Sequence, residues 1–366
     1  MFKILKKIIN IKLIFTKPNK KKILIYDRVG FEFGGRFFNL FFSEKQYEIL
    51  DVRYETINIY VILFTLIKFG IKNFKDNYKK CFIDIVSPTI VFTCIDNNPA
   101  FYNLKNINSK PYYVSFQNGM RDGEFYRACQ LQIKKTKQKL KCDHIFVFAE
   151  NEKKRLSKFI KANIHPVGNA VNNNYYKKKQ FINKVKSIMY VANFKVAQEH
   201  SDEDKKIFNL LINFCKKRKV KLSFGSKLGV DKEIFFRENL NKGNWTYLPR
   251  IRIDPSNAYK NLYKHQMIVF TNSTLGFEAL ARGIKCVALC KDFPTKGNYK
   301  KYPKSGAFWT NSKKQHEIEK TLNRVMNFSS KNWSRIAHKY SSEIMKYDPD
   351  NYKINKILQS LLKKNN

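Results

Sequence analysis

At 366 residues the chain is too long for one ordinary core and suits two domains. With 43% hydrophobic and 15% aromatic residues it has the apolar material to fold throughout, which excludes global disorder. Lys and Arg outnumber Asp and Glu by 71 to 29, a formal charge of +42 that points toward nucleic acid or an anionic membrane. Only 13 of the basic residues are Arg, and Lys abounds together with Asn and Ile, as AT-rich codon usage produces, so the charge alone defines no partner.

Residues 1–20 read as a basic leader. Over 1–16, Phe2, Leu5, Ile9 and Leu13 share a helical face with Lys3, Lys6 and Lys7 largely off it, although Ile4, Ile11 and Lys12 blur the separation. The segment lacks the uncharged core and cleavage site of a signal peptide. It predicts an amphipathic helix on an anionic membrane surface, with a frayed basic leader as the alternative. A strand over 20–27 leads to Gly30, Gly34 and Gly35 and an apolar helix from Phe37 to Phe42. A helix follows over 56–70; its apolar run 57–67 is interrupted by Asn58, closed by Lys68 and far short of a membrane span, which makes it a core helix.

Next come a strand over 89–95, a break at 96–99, a strand over 112–116, a break at 117–119, a helix over 126–140 and a strand over 144–149. Buried strands alternating with helices imply a parallel sheet. This N-terminal domain takes in 21–165, and the Gly- and Asn-rich stretch that begins at His165-Pro166 introduces a linker over 166–185. The second domain, 186–313, alternates strands at 187–192, 220–224, 245–248, 266–271 and 284–289 with helices at 202–217, 231–240, 255–264 and 275–282. Residues 314–366 read as C-terminal helices. The seven Cys form no CxxC pair and read as buried thiols, and six scattered His imply no metal site.

The segment from Met267 to Leu289 carries the most chemistry. An apolar strand ends at Thr271, Ser273 is placed to cap a helix whose first turn holds Gly276, and Gly283 ends that helix. A helix N-terminus at a strand's carboxyl end presents amides and positive dipole to a phosphate. Ser273 and Thr274 add hydroxyls, Leu275 lies in the same turn, Gly276 permits close approach, and Glu278 is set to accept from ribose or sugar hydroxyls. A merely well-capped helix is the plain alternative. Asn193 and Arg250, each at the end of a further strand, are weaker donor-side candidates.

The run Ser273-Thr-Leu-Gly-x-Glu-Ala-Leu-Ala-Arg-Gly283 resembles the donor-site helix of GT-B nucleotide-sugar glycosyltransferases, particularly surface-carbohydrate proteins related to the glycerophosphotransferases of teichoic acid synthesis. Arg53 and Glu55 with Asn58, Thr93 to Tyr102 including Asp96, Asn97 and Asn98, and Gln117-Asn118-Gly119 with Arg121 resemble the same group in the same order. The resemblance implies an α/β protein of two facing Rossmann-like domains, with donor nucleotide held by the second and acceptor by the first, and no metal or other cofactor. Gly34 and Gly35, which do not form a dinucleotide motif, are then acceptor-side residues that leave room at the cleft.

Those relatives carry His-Gly-Thr-Pro, with a His implicated in catalysis, in the loop equivalent to 117–119; here the position is Asn118. The general base therefore falls to a carboxylate. Asp122 and Glu124 lie in the loop, and Asp96 and Glu32 compete. His165-Pro166 resembles the His-Pro motif of sialyl and Kdo transferases but stands before the donor domain. The expectation is an inverting, metal-independent glycosyltransferase at the cytoplasmic face of the membrane, cytoplasmic or peripheral. Its partners are a nucleotide sugar and a glycan or lipid-linked acceptor. A nucleotide-sugar epimerase of the same fold is the first rival; a nucleic-acid-binding protein, supported only by charge, is the second.

Overall fold

The computed structural model describes residues 11–27, 37–53, 56–121, 123–175, 184–191, 198–225, 244–249, 256–290, 293–294 and 302–363. The expectations for residues 1–10, Glu32, Gly34, Gly35, Glu55, Asp122, Asn193, Arg250 and the helix over 231–240 lie outside the described residues.

Two six-stranded parallel sheets organise the chain. A short strand β1 (Lys12–Ile14) precedes them and pairs with another, β4 (Thr56–Asn58). The first sheet is built from β2 (Ile23–Tyr26), β3 (Tyr47–Leu50), β5 (Ile90–Thr93), β6 (Tyr112–Phe116), β7 (Leu140–Val147) and β8 (Ile160–Pro166), in the order β3-β2-β5-β6-β7-β8. The second holds β9 (Ser187–Val191), β10 (Lys221–Gly225), β11 (Trp245–Leu248), β12 (Met267–Phe270), β13 (Lys285–Leu289) and β14 (Trp309–Thr310), in the order β11-β10-β9-β12-β13-β14.

Every residue of β2, β5, β12 and β13 is buried, because helices cover both faces of each sheet. That is why these strands read as unbroken apolar runs. On one face of the first sheet, Phe92 meets the rings of Phe37, Phe38, Phe42 and Phe116 at 4.9–6.2 Å between centroids. Deleting one such ring costs about 3–5 kcal/mol.

The structure departs from the sequence expectations at several points. Residues 12–14 are strand, so the leader is not a helix through residue 16, and Thr56–Asn58 is strand before the helix Ile59–Phe69 begins. Hydrogen bonding between chain segments decides both, and periodicity does not register it. Four further elements belong to the first domain: β3 and the helices Phe74–Val86, Pro99–Ile107 and Glu150–Leu156. His165-Pro166 ends β8, an edge strand that tolerates proline, rather than opening a linker.

Residues 314–366 form no unit of their own. The helices Gln315–Asn327 and Ser330–Ile344 bury Ile318, Leu322, Val325 and Trp333 in the core of the second sheet. The chain then returns, and Tyr352–Lys363 lays Ile354, Leu358 and Leu361 onto the core of the first sheet.

At this return crossing the Lys346 amide donates to the Phe148 carbonyl (2.8 Å), and Gly168 bridges Tyr347. Gly168 has φ +80°, and a Cβ there would stand 2.0 Å from the Lys346 carbonyl oxygen. Gly168→Ala is therefore both strained and obstructed, and equilibrium denaturation should show a loss of more than about 2 kcal/mol.

Candidate active site

The carboxyl end of the first sheet gathers buried ions. At the end of β5, Asp96 is 2% exposed and Arg121 grips it with two nitrogens: Nε donates to Oδ2 (2.8 Å) and Nη2 to Oδ1. The Asn118 amide also donates to Asp96 Oδ1 (3.1 Å), and Arg121 Nη2 donates to Asn118 Oδ1 (2.7 Å). Burial raises the Asp96 carboxyl and Arg121 pulls it back. Burial likewise lowers Arg121, but Asp96 outweighs it and raises the guanidinium, so Arg121 keeps its charge.

Gln117 completes the loop, donating to the Gly119 carbonyl (3.0 Å) and accepting from the Phe148 amide (2.8 Å). Met120, between Gly119 and Arg121, packs against the core of the second sheet, so this loop reaches the domain boundary. Asp96, with both oxygens engaged, acts as the anchor of the 117–121 loop. Asn98 has a structural task as well: its side chain accepts from the Ala100 amide (3.1 Å) and caps the helix that Pro99 opens. Asn97 stands beside that cap, and Asn58 caps the helix Ile59–Phe69 in the same way.

Two carboxylates join the site that sequence reasoning does not single out. Asp27, fully buried at the end of β2, accepts from Arg53 Nε (2.9 Å), which places the predicted Arg53 on the same sheet edge. Glu152, on the helix after β7, has its Oε1 shielded from solvent without a hydrogen-bond partner. Burial raises its carboxyl to about 7, opposed by Arg121 and reinforced by Asp96. Glu124 lies exposed in the first turn of the helix Gly123–Thr136. Glu152 lies in the charged run 150–155, which reads as a solvated helix face; the residue is half-buried, with its Oε1 the shielded atom.

On the second sheet, β12 ends at Phe270 and the helix Thr274–Ala281 starts directly after Ser273, whose side chain makes no capping bond. Its hydroxyl, Thr274 and the first-turn amides are thus presented at the carboxyl edge. Gly276 is glycine for a different reason than phosphate approach: a Cβ would meet the Phe270 ring at 2.1–2.4 Å, and its amide donates to the Ser273 carbonyl (3.1 Å). A cavity of about 500 Å³ opens nearby at the ends of β13 and β14, lined in part by Asn213, Cys290, Thr310 and Asn311.

Glu278 faces the interdomain segment. Asn169 Nδ2 donates to its Oε1 (2.7 Å), and Tyr259 shares a hydrogen bond with it. One turn on, Arg282 donates to the carbonyls of Asn172 and Tyr175 and to the Tyr347 hydroxyl (2.7 Å), stacked 3.8 Å over the Tyr347 ring. The Asn-rich stretch expected to be a linker is thus gripped by the helix Thr274–Ala281 and the Arg282 that follows it.

His165 Nε2 pairs with His144 Nδ1 (3.0 Å), and burial with His144 lowers His165 to about 4, a sheet contact apart from the loop. All seven cysteines are buried thiols. Among the described residues no group of three or more His, Cys, Asp or Glu is placed to hold a metal.

The two parallel sheets have the architecture of the GT-B fold, and solved structures of that fold match nearly the whole chain. The spinosyn rhamnosyltransferase SpnG is similar with a TM-score of 0.54 and 9% identity, over 92% of this chain and 99% of that one. UDP-GlcNAc 2-epimerases are similar too: that of Neisseria meningitidis bound to UDP-GlcNAc (TM-score 0.52, 11% identity, 96% of this chain and 100% of that one) and that of Methanocaldococcus jannaschii in complex with UDP-GlcNAc and UDP (0.51, 13%, 88% and 99%). The chain belongs to the family described as "putative O-antigen biosynthesis protein", whose model matches residues 114–208 and 199–365. No curated protein matches it.

Burial raises Glu278 from 4.5 to about 7. Between those values the folded chain keeps a proton that the unfolded chain releases, so this residue makes stability fall as pH rises from about 4.5 to 7, by up to about 1.4 kcal/mol per unit. Glu278→Gln should remove that component of the slope in denaturation curves measured from pH 5 to 8.

Proposed function

We propose that the protein is a glycosyltransferase of O-antigen assembly, moving a sugar from a nucleotide-activated donor onto a glycan or lipid-linked acceptor. The observation that carries this reading is the Arg121-anchored loop at the carboxyl end of the first sheet, whose Met120 packs against the core of the second; the uncapped turn at Ser273 on that second sheet supports it. The donor phosphates sit on the amides of Thr274 and Leu275 with the hydroxyls of Ser273 and Thr274. The acceptor lies along Arg53, Asn97, Gln117, Asn118, Gly119 and Arg121.

In the reaction a base takes the proton of the acceptor hydroxyl, whose oxygen attacks the anomeric carbon. The bond from that carbon to the donor phosphate breaks, and the nucleotide leaves with charge that the helix amides stabilise. We assign the base to Glu152, because burial holds its carboxyl near neutrality, where a general base works best, with Asp122 and Glu124 as its competitors. Inversion, independence of a metal and kinship with the teichoic acid glycerophosphotransferases rest on the sequence resemblance. UDP-GlcNAc 2-epimerases share the fold, so an epimerase is the second reading.

A panel of CMP-, CDP-, UDP-, GDP- and dTDP-sugars, read first by melting-temperature shift and then by turnover, separates the two. Consumption of a donor only when acceptor is present supports transfer; conversion without acceptor or hydrolysis supports epimerisation. Replacing Ser273 and Thr274 with Ala should weaken nucleotide affinity in calorimetric titration with the fold intact, and unchanged affinity would remove the donor assignment.

Glu152→Gln should lower turnover ~100- to ~10,000-fold with donor binding retained. Wild-type kcat/KM should climb as pH rises through about 7 and then level, since the base acts deprotonated. A larger loss in Asp122→Asn or Glu124→Gln would transfer the role to that residue.

A further inference from the structure

The helix Ile59–Phe69 has one charge in eleven residues, Lys68. A helix apolar on all sides normally lies inside a core, and the sequence pattern places it there. The structure buries only Val61 and Thr65 of it. Leu63 is 56% exposed, Ile67 87% and Ile71, just past the helix, 85%; Phe64 and Leu66 are also in solvent. β1 packs against this helix and adds exposed Leu13 and Phe15. Contiguous exposed apolar side chains of this kind mark a contact surface.

The charge around the patch selects the partner. Segments 11–22 and 56–80 contain ten Lys and one acidic residue, Asp76, which Lys79 already pairs (3.2 Å). Lys68 rests over the rings of Phe64 and Phe69 and Lys80 over Phe69, at 5.4–5.7 Å, so cations border the apolar surface directly. The helix is about 16 Å long, half the hydrocarbon thickness of a bilayer, and among the described residues no helix is long and apolar enough to cross one.

We propose that this face, without need of residues 1–10, docks the first domain on an anionic phospholipid bilayer. Leu63, Ile67 and Ile71 enter the acyl boundary, while the flanking lysines meet phosphate headgroups. This goes beyond the proposed reaction and does not depend on it.

The test is sedimentation of the full chain with vesicles of phosphatidylcholine alone and of phosphatidylcholine mixed with phosphatidylglycerol, with size-exclusion light scattering in the absence of lipid. The wild type should sediment with the anionic vesicles at low salt and much less with the zwitterionic ones. I67E/I71E, at exposed positions, should keep the wild-type melting temperature and lose at least about tenfold in partitioning. K68E/K72E should lose about fivefold or more, on anionic vesicles only. Failure of the wild type to bind, unchanged binding in I67E/I71E, or binding abolished only by deleting residues 1–10 would overturn the proposal. So would a lipid-free dimer that I67E/I71E dissociates, which would assign the face to a second copy of the chain.

Discussion

The grip of one helix on the segment between the sheets is the constraint that everything else relies on. Arg282 reaches two backbone carbonyls and a tyrosine hydroxyl from the end of the helix Thr274–Ala281, and Glu278 on the same helix holds Asn169. A partly buried guanidinium is costly to desolvate, and it is kept charged here by acceptors supplied from a different part of the chain. Because this helix also bears the proposed donor turn at its start, the turn's position relative to the first sheet is set by the same contacts. Asn173 extends the grip: its amide nitrogen donates to Val167 and Asn351, and its oxygen accepts from the Asp348 amide, so the outgoing and returning chains are tied together.

The first sheet solves a different problem at its own edge. Carboxylates at the ends of adjacent strands, Asp27 and Asp96, would repel if left alone, and each is met by an arginine from a neighbouring loop. Arg121 is almost wholly buried and Arg53 is partly in water, so the two pairs differ in rigidity. A buried bidentate pair defines one loop conformation, because any other leaves an unpaired charge out of water. The loop 117–121 is therefore held in one shape by its own contacts. Near this pair Glu152 has one oxygen shielded without a hydrogen-bonding partner, and burial raises its carboxyl to about 7, the property on which its proposed role as base rests.

Much of this architecture is legible in the amino-acid pattern. The strand Tyr112–Phe116 and the strand Trp245–Leu248 stand where the apolar runs put them, and Ser273 is the residue before the helix as expected, although its side chain makes no capping bond. Context is what the pattern leaves out. Glycine at 276 is a sign of close approach, and the partner is the Phe270 ring. Asparagine-rich sequence around 169–174 has the composition of a loose linker, yet its side chains cap a helix turn and bind the returning chain. The apolar run at 57–67 has the composition of a core helix, and much of its surface faces outward.

By itself the sequence determined the periodicities: which runs alternate as buried strands and covering helices, and a family resemblance lodged in short motifs at strand ends. Those are local quantities, decided by backbone geometry and by side chains a few residues apart. The tertiary structure alone decided which carboxylates lose water, which arginine meets which acid, and which apolar face finds no cover. Asp96 and Arg121 are 25 residues apart, and Asn169 and Glu278 are 109. Burial, pKa and pairing at such separations depend on how the sheets are ordered and docked, and no pattern along the chain encodes that directly.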